Sequence, residues 1–379
     1  MEQSLLLEST TCHFTFTLRN PDRVIPIAFG GATPAQLVAC RKLAGVEFGT
    51  PLAEEDYIEH EQYLGRKPLV KDKGWRVWCL SPTHDPSEVL ATCKTIPREL
   101  LVSRASETGS HTAYCIASVV TNPRYRGQGL ASRLLELVAG WLDGPGDAIA
   151  SILYSSKVDF YRRGGWNRIP ASLASLSWPN CFSLSRNRSQ LPETRILSSR
   201  EVPALCDKDV RNVEFHFSEL MPEPDRSHVC VLPTTNIITW LHARSDFMST
   251  KLKGASPIGR GSICDDADTW LYWYHDFRKQ QLAIQRVRLP VVASELQRAA
   301  LVAMLLDAVE EARAWDFPKV ILWDPSTELI GAMSILQQEF RIESEIEAER
   351  KRGIPLMRWR HADEPNKTVF HFNEFYTRN

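Results

Sequence analysis

The stretch that most limits what this chain can fold into is Arg124-Tyr125-Arg126-Gly127-Gln128-Gly129, because it joins two runs of different periodicity. Residues 112–120, ahead of it, are apolar and strand-like. Behind it, Leu130, Leu134, Leu135, Leu137, Val138 and Trp141 recur at helical spacing, with Arg133 and Glu136 interleaved. A strand must therefore pass into a helix through a segment with two glycines. The first N–H groups of a helix have no partner inside it, and the helix dipole adds partial positive charge there. Such an end is a site for phosphate. Gly127 and Gly129 allow the positive φ and close approach that a backbone cradle needs. Arg124 and Arg126 add charge suited to a pyrophosphate.

Two other phosphate loops are excluded. A Walker loop needs Lys-Ser or Lys-Thr after its second glycine, and this chain has Leu130-Ala131. A dinucleotide fingerprint needs three glycines near the first strand of a parallel unit. Here there are two, behind several strands that read as antiparallel.

Around this turn the periodicity predicts a strand over 11–18, a helix opened by Thr33-Pro34 and stopped by Gly45, and a more polar helix over 53–63. Strands are predicted over 75–80, 89–96 and 112–120. Gly144-Pro145-Gly146 ends the central helix. A strand over 148–154, a short helix over 157–163 closed by Gly164-Gly165, and a strand over 173–178 follow. Residues 180–197 are rich in Ser, Arg and Asn and read as a linker. The second half predicts paired strands over 270–275 and 283–289, a helix over 292–315, a strand over 320–323 and a helix over 326–337. That order repeats the one around Arg124, so the pattern suggests a degenerate duplication without any short repeat.

A chain of 379 residues is long for one core, which also points to two domains. The formal net charge of −1, with both signs mixed along the chain, gives no electrostatic case for nucleic acid or an anionic membrane. The nine cysteines form no Cys-x-x-Cys pair, so neither a disulfide framework nor a metal site is expected. No segment approaches the ~18 apolar residues of a membrane span. The start lacks the basic region of a signal peptide, and a cytoplasmic location is the expectation.

Arg124, Gly127 and Gly129 match, position by position, the Arg/Gln-x-x-Gly-x-Gly/Ala pattern of motif A in the GNAT acetyltransferases. Phe160-Tyr161-Arg162-Arg163-Gly164-Gly165-Trp166 resembles that family's Phe-Tyr-x-x-x-Gly-Phe segment, with Trp166 in place of Phe. The resemblance implies an α/β fold with a mixed sheet. It places a GNAT domain at 1–180, a linker at 181–199 and a degenerate GNAT-like domain at 200–379. It also implies acetyl-CoA as donor and no metal. The pyrophosphate would rest on Arg126, Gly127, Gln128, Gly129, Leu130 and Ala131, beside Arg124. The pantetheine arm would pair with the strand at Ser118, Val119, Val120 and Thr121. A neutral amine would then attack the thioester directly, with no covalent enzyme intermediate.

Tyr161 matches the family tyrosine that gives a proton to the leaving thiolate. Its other reading is a core aromatic on a short amphipathic helix. Many relatives carry a glutamate base on the strand before the loop, but Tyr114-Cys115-Ile116-Ala117 has none. A water relay or a group from the second half would then take the amine's proton. His216 is the candidate there, with a buried, hydrogen-bonded histidine as the alternative.

The tail narrows the family. Gly353-Ile354-Pro355-Leu356-Met357-Arg358-Trp359-Arg360-His361 and His371-Phe372-Asn373-Glu374-Phe375-Tyr376 resemble the tail of the fungal lysine acetyltransferases, which act on the ε-amino group of free lysine. That resemblance covers nearly the whole chain. It departs at Thr377-Arg378-Asn379, which leaves another small-molecule amine open as acceptor. At the place of the phosphate loop the second half has Leu289-Pro290-Val291-Val292-Ala293, with no Gly-x-Gly. The resemblance therefore gives that half the role of walling the acceptor site. Arg358, Trp359, Glu374 and Tyr376 have the chemistry to hold a free amino acid. Alternatively the tail is packing, with Phe372 and Phe375 in the core and Asn373 and Glu374 exposed. Three other functions remain open: a tailoring acetyltransferase for an amine of a specialised metabolite, a protein-lysine acetyltransferase, and a non-catalytic CoA-binding protein.

Overall fold

The computed structural model describes residues 11–19, 22–71, 76–104, 107–179, 186–221, 223, 225–290, 292–360 and 367–378. The chain forms two compact units. One comprises residues 1–98, 111–168 and 356–364, and the other residues 99–110, 169–355 and 365–379.

In chain order the elements of the first unit are β1 (Cys12–Arg19), β2 (Asp22–Gly31), α1 (Pro34–Phe48), α2 (Glu54–Leu64), α3 (Pro68–Lys71), β3 (Arg76–Pro82), β4 (Ala91–Arg104), β5 (Glu107–Thr121), α4 (Leu130–Asp143), β6 (Ala150–Ser155), α5 (Val158–Arg162) and β7 (Asn167–Arg168). β4 belongs to this unit as far as Arg98, and β5 from His111. Next come β8 (Leu173–Ser177), β9 (Arg195–Ile196), α6 (Val202–Ser218), β10 (Arg226–Val231), α7 (Thr235–Lys253), β11 (Gly261–Cys264) and β12 (Thr269–Asp276). They are followed by β13 (Gln281–Arg288), α8 (Glu295–Ala314), β14 (Lys319–Trp323), α9 (Thr327–Phe340) and β15 (Glu343–Glu347), all in the second unit. β16 (Ile354–Trp359) enters the first unit at Leu356. β17 (Lys367–Phe370) and a one-turn helix, Phe375–Thr377, belong to the second.

The sheet of the first unit runs β1-β2-β3-β4-β5-β6-β16-β7. Most neighbours are antiparallel, as in Cys12↔Phe29 between β1 and β2, whereas β5 and β6 are parallel. The architecture is therefore the mixed α/β sheet that the motifs imply. α4 lays Leu130, Leu134, Leu135, Val138 and Trp141 onto this sheet, all buried. Trp78 stacks on Phe29 at 5.3 Å and meets Trp141 at 4.9 Å, and Tyr114 meets Trp141 edge-on at 5.5 Å. Each such side chain contributes about 1.5–3 kcal/mol by leaving water, which fixes the helix that carries the glycine turn.

Two expectations are corrected here. α1 does not stop at Gly45 but continues to Phe48. A Cβ at Gly45 would stand 3.1 Å from the Tyr57 ring, so this glycine serves the approach of α1 to α2. β2 was not expected at all. Its buried Ile25, Ile27 and Phe29 alternate along the strand, but Pro26 falls between them.

The second unit has its own sheet, in the order β15-β8-β14-β13-β12-β11-β9. β12 and β13 pair antiparallel with a register shift between Tyr272 and Trp273. β13 and β14 are parallel across α8. β8 pairs with both β14 and β15. Separately, β10 pairs parallel with β17 and antiparallel with residues 100–104 of β4. α6 and α7 occupy a stretch for which no element was predicted. Of the segment read as a linker, residues 180–185 lie outside the described residues, and the rest includes a one-turn helix, Arg186–Gln190, and β9.

Among the described residues no helix is long and apolar enough to cross a membrane. The cysteines among them are free thiols, and Cys181 lies outside the described residues.

Candidate active site

The glycine turn is held by its own first residue. Asn122 accepts from the Arg124 N–H at 3.1 Å, while its amide donates to the Val89 carbonyl at 3.2 Å. Tyr125 donates to Glu88 at 2.8 Å, and Arg126 pairs with Glu47 of α1. The chain then reaches Gly127 at φ 76° and Gly129 at φ 86°, both in the left-handed region that glycine enters without strain. No side chain caps α4, and its first turn contains no acidic residue. A Cβ built on Gly127 meets no atom within 4 Å, so the space above the turn is open. An uncapped helix end, a left-handed glycine facing open space, and exposed Arg124 and Arg126 fit a bound pyrophosphate.

β5 supplies the second feature. Its parallel pairing with β6 runs from Ala113↔Ala150 to Ile116↔Leu153 and ends there. Ser118 follows at φ 51°, an unusual value for a residue with a side chain and a local kink in the strand. From there to Thr121 the edge on the β6 side has no neighbouring strand among the described residues. Val119 packs on the core beneath α4, Val120 is buried with Cys40 and Val77, and Ser118 and Thr121 are half-buried. The kink therefore exposes main-chain groups of β5 beside the glycine turn.

Tyr161 lies on α5 in the same unit, half-buried and edge-on to Phe160 at 4.9 Å. The Gly164 and Trp166 N–H groups both donate to its carbonyl, at 2.9 and 3.2 Å. Burial, reinforced by the nearby Cys93 thiol and opposed by a hydrogen bond from Ser155, pushes its hydroxyl up to about 12. It is a protonated donor throughout the neutral range.

The remaining residues singled out from the sequence are placed as follows. Arg358 makes a two-pronged ion pair with Asp143 at the end of α4, one bond being 2.7 Å, and lies near the Trp166 ring. Trp359 is buried. His216 belongs to the second unit, half-buried against His371, Phe217 and Phe372. Burial, then the charges of Arg286 and His228, hold its pKa below the usual imidazole value. Glu374 accepts from Arg286 and from the Val287 N–H, each at 2.9 Å. Tyr376 is fully buried and donates to the Val231 carbonyl at 2.5 Å. Asn373, expected on the surface in the packing alternative, is buried, with its amide donating to Asp324 at 2.6 Å. At the position of the missing second phosphate loop, Ser294 closes α8 with a capping box, accepting from the Gln297 N–H at 3.2 Å.

A feature the sequence reading missed lies on α2. Its buried face carries Tyr57, His60, Glu61 and Leu64. Glu61 is ion-paired with Lys94 of β4, and its other oxygen lies 3.5 Å from His60 Nδ1. The i, i+3, i+4 spacing of Tyr57, His60 and Glu61 was the available signal. No group of three or more His, Cys, Asp or Glu among the described residues is placed to hold a metal ion.

Comparison with known proteins bears on the family and the fold. The family model described as acetyltransferase (GNAT) domain matches residues 68–169, and that described as LYC1 GNAT-like C-terminal domain matches residues 180–378. A lysine acetyltransferase from Yarrowia lipolytica is 23% identical over 346 residues, covering 78% of this chain and 84% of that protein. A GCN5-related N-acetyltransferase from Kribbella flavida superposes with a TM-score of 0.52 at 15% identity, covering 88% of this chain and 71% of its own. A probable N-acyltransferase from Enterococcus faecalis gives 0.53 at 13% identity, covering 88% and 72%. At these identities the two solved structures speak for the fold alone.

Proposed function

The chain belongs to the family of the LYC1 GNAT-like C-terminal domain, with a GNAT acetyltransferase domain ahead of it, and from that membership we propose that it transfers the acetyl group of acetyl-CoA to the ε-amino group of free lysine. That it is an N-acetyltransferase follows from the family. The donor and the acceptor are the inference. One observation carries the donor: the open end of α4 and the unpaired edge of β5 beyond Ser118 occur side by side in one unit. The name of the Yarrowia relative and the tail residues 353–361 and 371–376 carry the acceptor.

In this reading the backbone N–H groups of residues 126–131 hold the pyrophosphate, with Arg124 and Arg126 beside them. The freed main-chain groups of Ser118–Thr121 pair with the pantetheine amides as an added strand would. The same edge polarises the thioester carbonyl. The amine nitrogen attacks that carbon, the C–N bond forms, and the C–S bond breaks. Tyr161 gives its proton to the departing thiolate. A thiol titrates near ~8.5, so near neutral pH the sulfur leaves as a thiolate and ends as a thiol, and a donor held beside it supplies that proton.

The reading is tested by CoA release from acetyl-CoA with lysine, ornithine, polyamines, aryl amines and a histone peptide. Turnover greatest with free lysine supports it. Turnover confined to another amine removes lysine, and acetyl-CoA binding without turnover removes the enzyme reading.

A further inference from the structure

The proposed reaction leaves one partner unnamed, the group that takes the amine's proton, and the stretch of β5 ahead of the kink, Tyr114–Ala117, supplies no glutamate for it. Glu61 and Lys94 are both buried, 8% and 9% exposed, although they are ionic. Burying an ion pair costs several kcal/mol per ion before its attraction is counted, and an apolar pair of the same size is often at least as stable. The pair is therefore weak evidence for a stabilising role. It borders a cavity of about 10 Å³, whose other walls are Cys40, Arg41, Ala44, Val77, Thr92 and Ser118. That is room for one water molecule, or for one amino group. Ser118 is the kinked residue at which β5 leaves β6.

We propose that Glu61 accepts the proton of the attacking amine, directly or through one water in this cavity, and that Lys94 is its positioning residue. The proposal rests on the acetyl-transfer reading and adds its base. The ammonium loses a first proton to Glu61, which passes it to solvent. The neutral nitrogen attacks the thioester carbon, and the tetrahedral nitrogen loses a second proton to Glu61, which again passes it to solvent. The C–S bond breaks, and Tyr161 protonates the sulfur and is reprotonated from solvent. The products are the amide, the free thiol and one released proton. The charged and titratable groups facing Glu61 are Lys94 from β4, His60 from α2, and Arg41 and Cys40 from α1. The cations among them disfavour an incoming ammonium relative to the neutral amine.

The test measures kcat and KM against pH for the full chain and for Glu61→Gln, with acetyl-CoA and lysine. The expected result is a fall in kcat of about 100-fold or more, with acetyl-CoA KM unchanged. The residual rate should climb with pH as solution chemistry supplies neutral amine, where the parent levels off. Lys94→Met should lower kcat less, and Lys94→Arg should restore part of it. Should Glu61→Gln not fold, Ala44→Val decides, because it fills the cavity from α1 without touching a charge. Lost kcat with acetyl-CoA binding kept supports the proposal, and the parent's kcat overturns it. A Glu61→Gln enzyme with the parent's kcat and pH profile overturns the base alone. A parent that turns over no amine overturns the acetyl-transfer reading and this proposal together.

Discussion

The indole Nε1 of Trp166 donates to Ser151 Oγ at 3.0 Å, with both side chains buried. Trp166 stands where the family pattern has phenylalanine, so the serine on β6 answers a donor that phenylalanine lacks. Ser151→Ala leaves the indole N–H without this partner and should cost about 1–3 kcal/mol in urea unfolding. Adding Trp166→Phe removes the orphaned donor. The double variant should therefore be more stable than the sum of the two single effects predicts. Strict additivity would contradict this pairing.

Gly127 and Gly164 should respond oppositely to alanine. At Gly127 a methyl meets only open space, so Gly127→Ala costs the fold about 1–2 kcal/mol for its left-handed φ. The methyl would, however, occupy the space assigned to the phosphates. Its acetyl-CoA Kd, by titration calorimetry, should rise tenfold or more. At Gly164 a Cβ would stand 2.7 Å from the Trp166 ring, so Gly164→Ala should lower Tm by more than Gly127→Ala does. Equal CoA affinity in Gly127→Ala and the parent would remove the loop from donor binding.

Tyr161→Phe keeps the ring packing on Phe160 and deletes only the donor. Its kcat should fall about 100-fold with acetyl-CoA affinity unchanged. Because the hydroxyl is held up at about 12, the parent's pH–rate profile should contain no limb from this residue in the neutral range. A kcat within twofold of the parent would return Tyr161 to the role of a core aromatic.

Glu374 and Asp209 share the guanidinium of Arg286, and burial, partly offset by Arg286 and the Val287 N–H, pushes Glu374 up to about 7. Unfolded, a glutamate titrates near ~4.3. Between those values the folded chain binds more protons than the unfolded one, so this group's contribution is fully present below the unfolded value and is lost as pH rises through 7. The stability of the parent relative to Glu374→Gln should therefore fall by about 1 kcal/mol per pH unit across that window. Chemical denaturation at several pH values measures it, and parallel curves would contradict it.

The glycine turn was legible because both of its signals are local: glycines at fixed spacing and a change of period. β2 was not, since Pro26 interrupts an otherwise alternating strand. Gly45 misled because a glycine that lets Tyr57 approach looks, in sequence, like one that ends a helix. Glu61 and Lys94 are 33 residues apart, and only the fold brings them together. The sequence reads α2 only as a more polar helix, and part of that polarity faces inward. In the tail the residue types were readable and their partners in the fold were not. Glu374 and Tyr376 have the chemistry of a ligand pocket, but their polar atoms meet Arg286, Val287 and Val231.

The central claim is the pairing of this donor with this acceptor, and the mass and position of the product test it most directly. Incubated with acetyl-CoA and free lysine, the chain should release one CoA for each lysine that gains one acetyl group, and fragmentation should place that group on the ε-nitrogen. Acetyl on the α-nitrogen, or no acetylated lysine while another amine is consumed, would contradict the account.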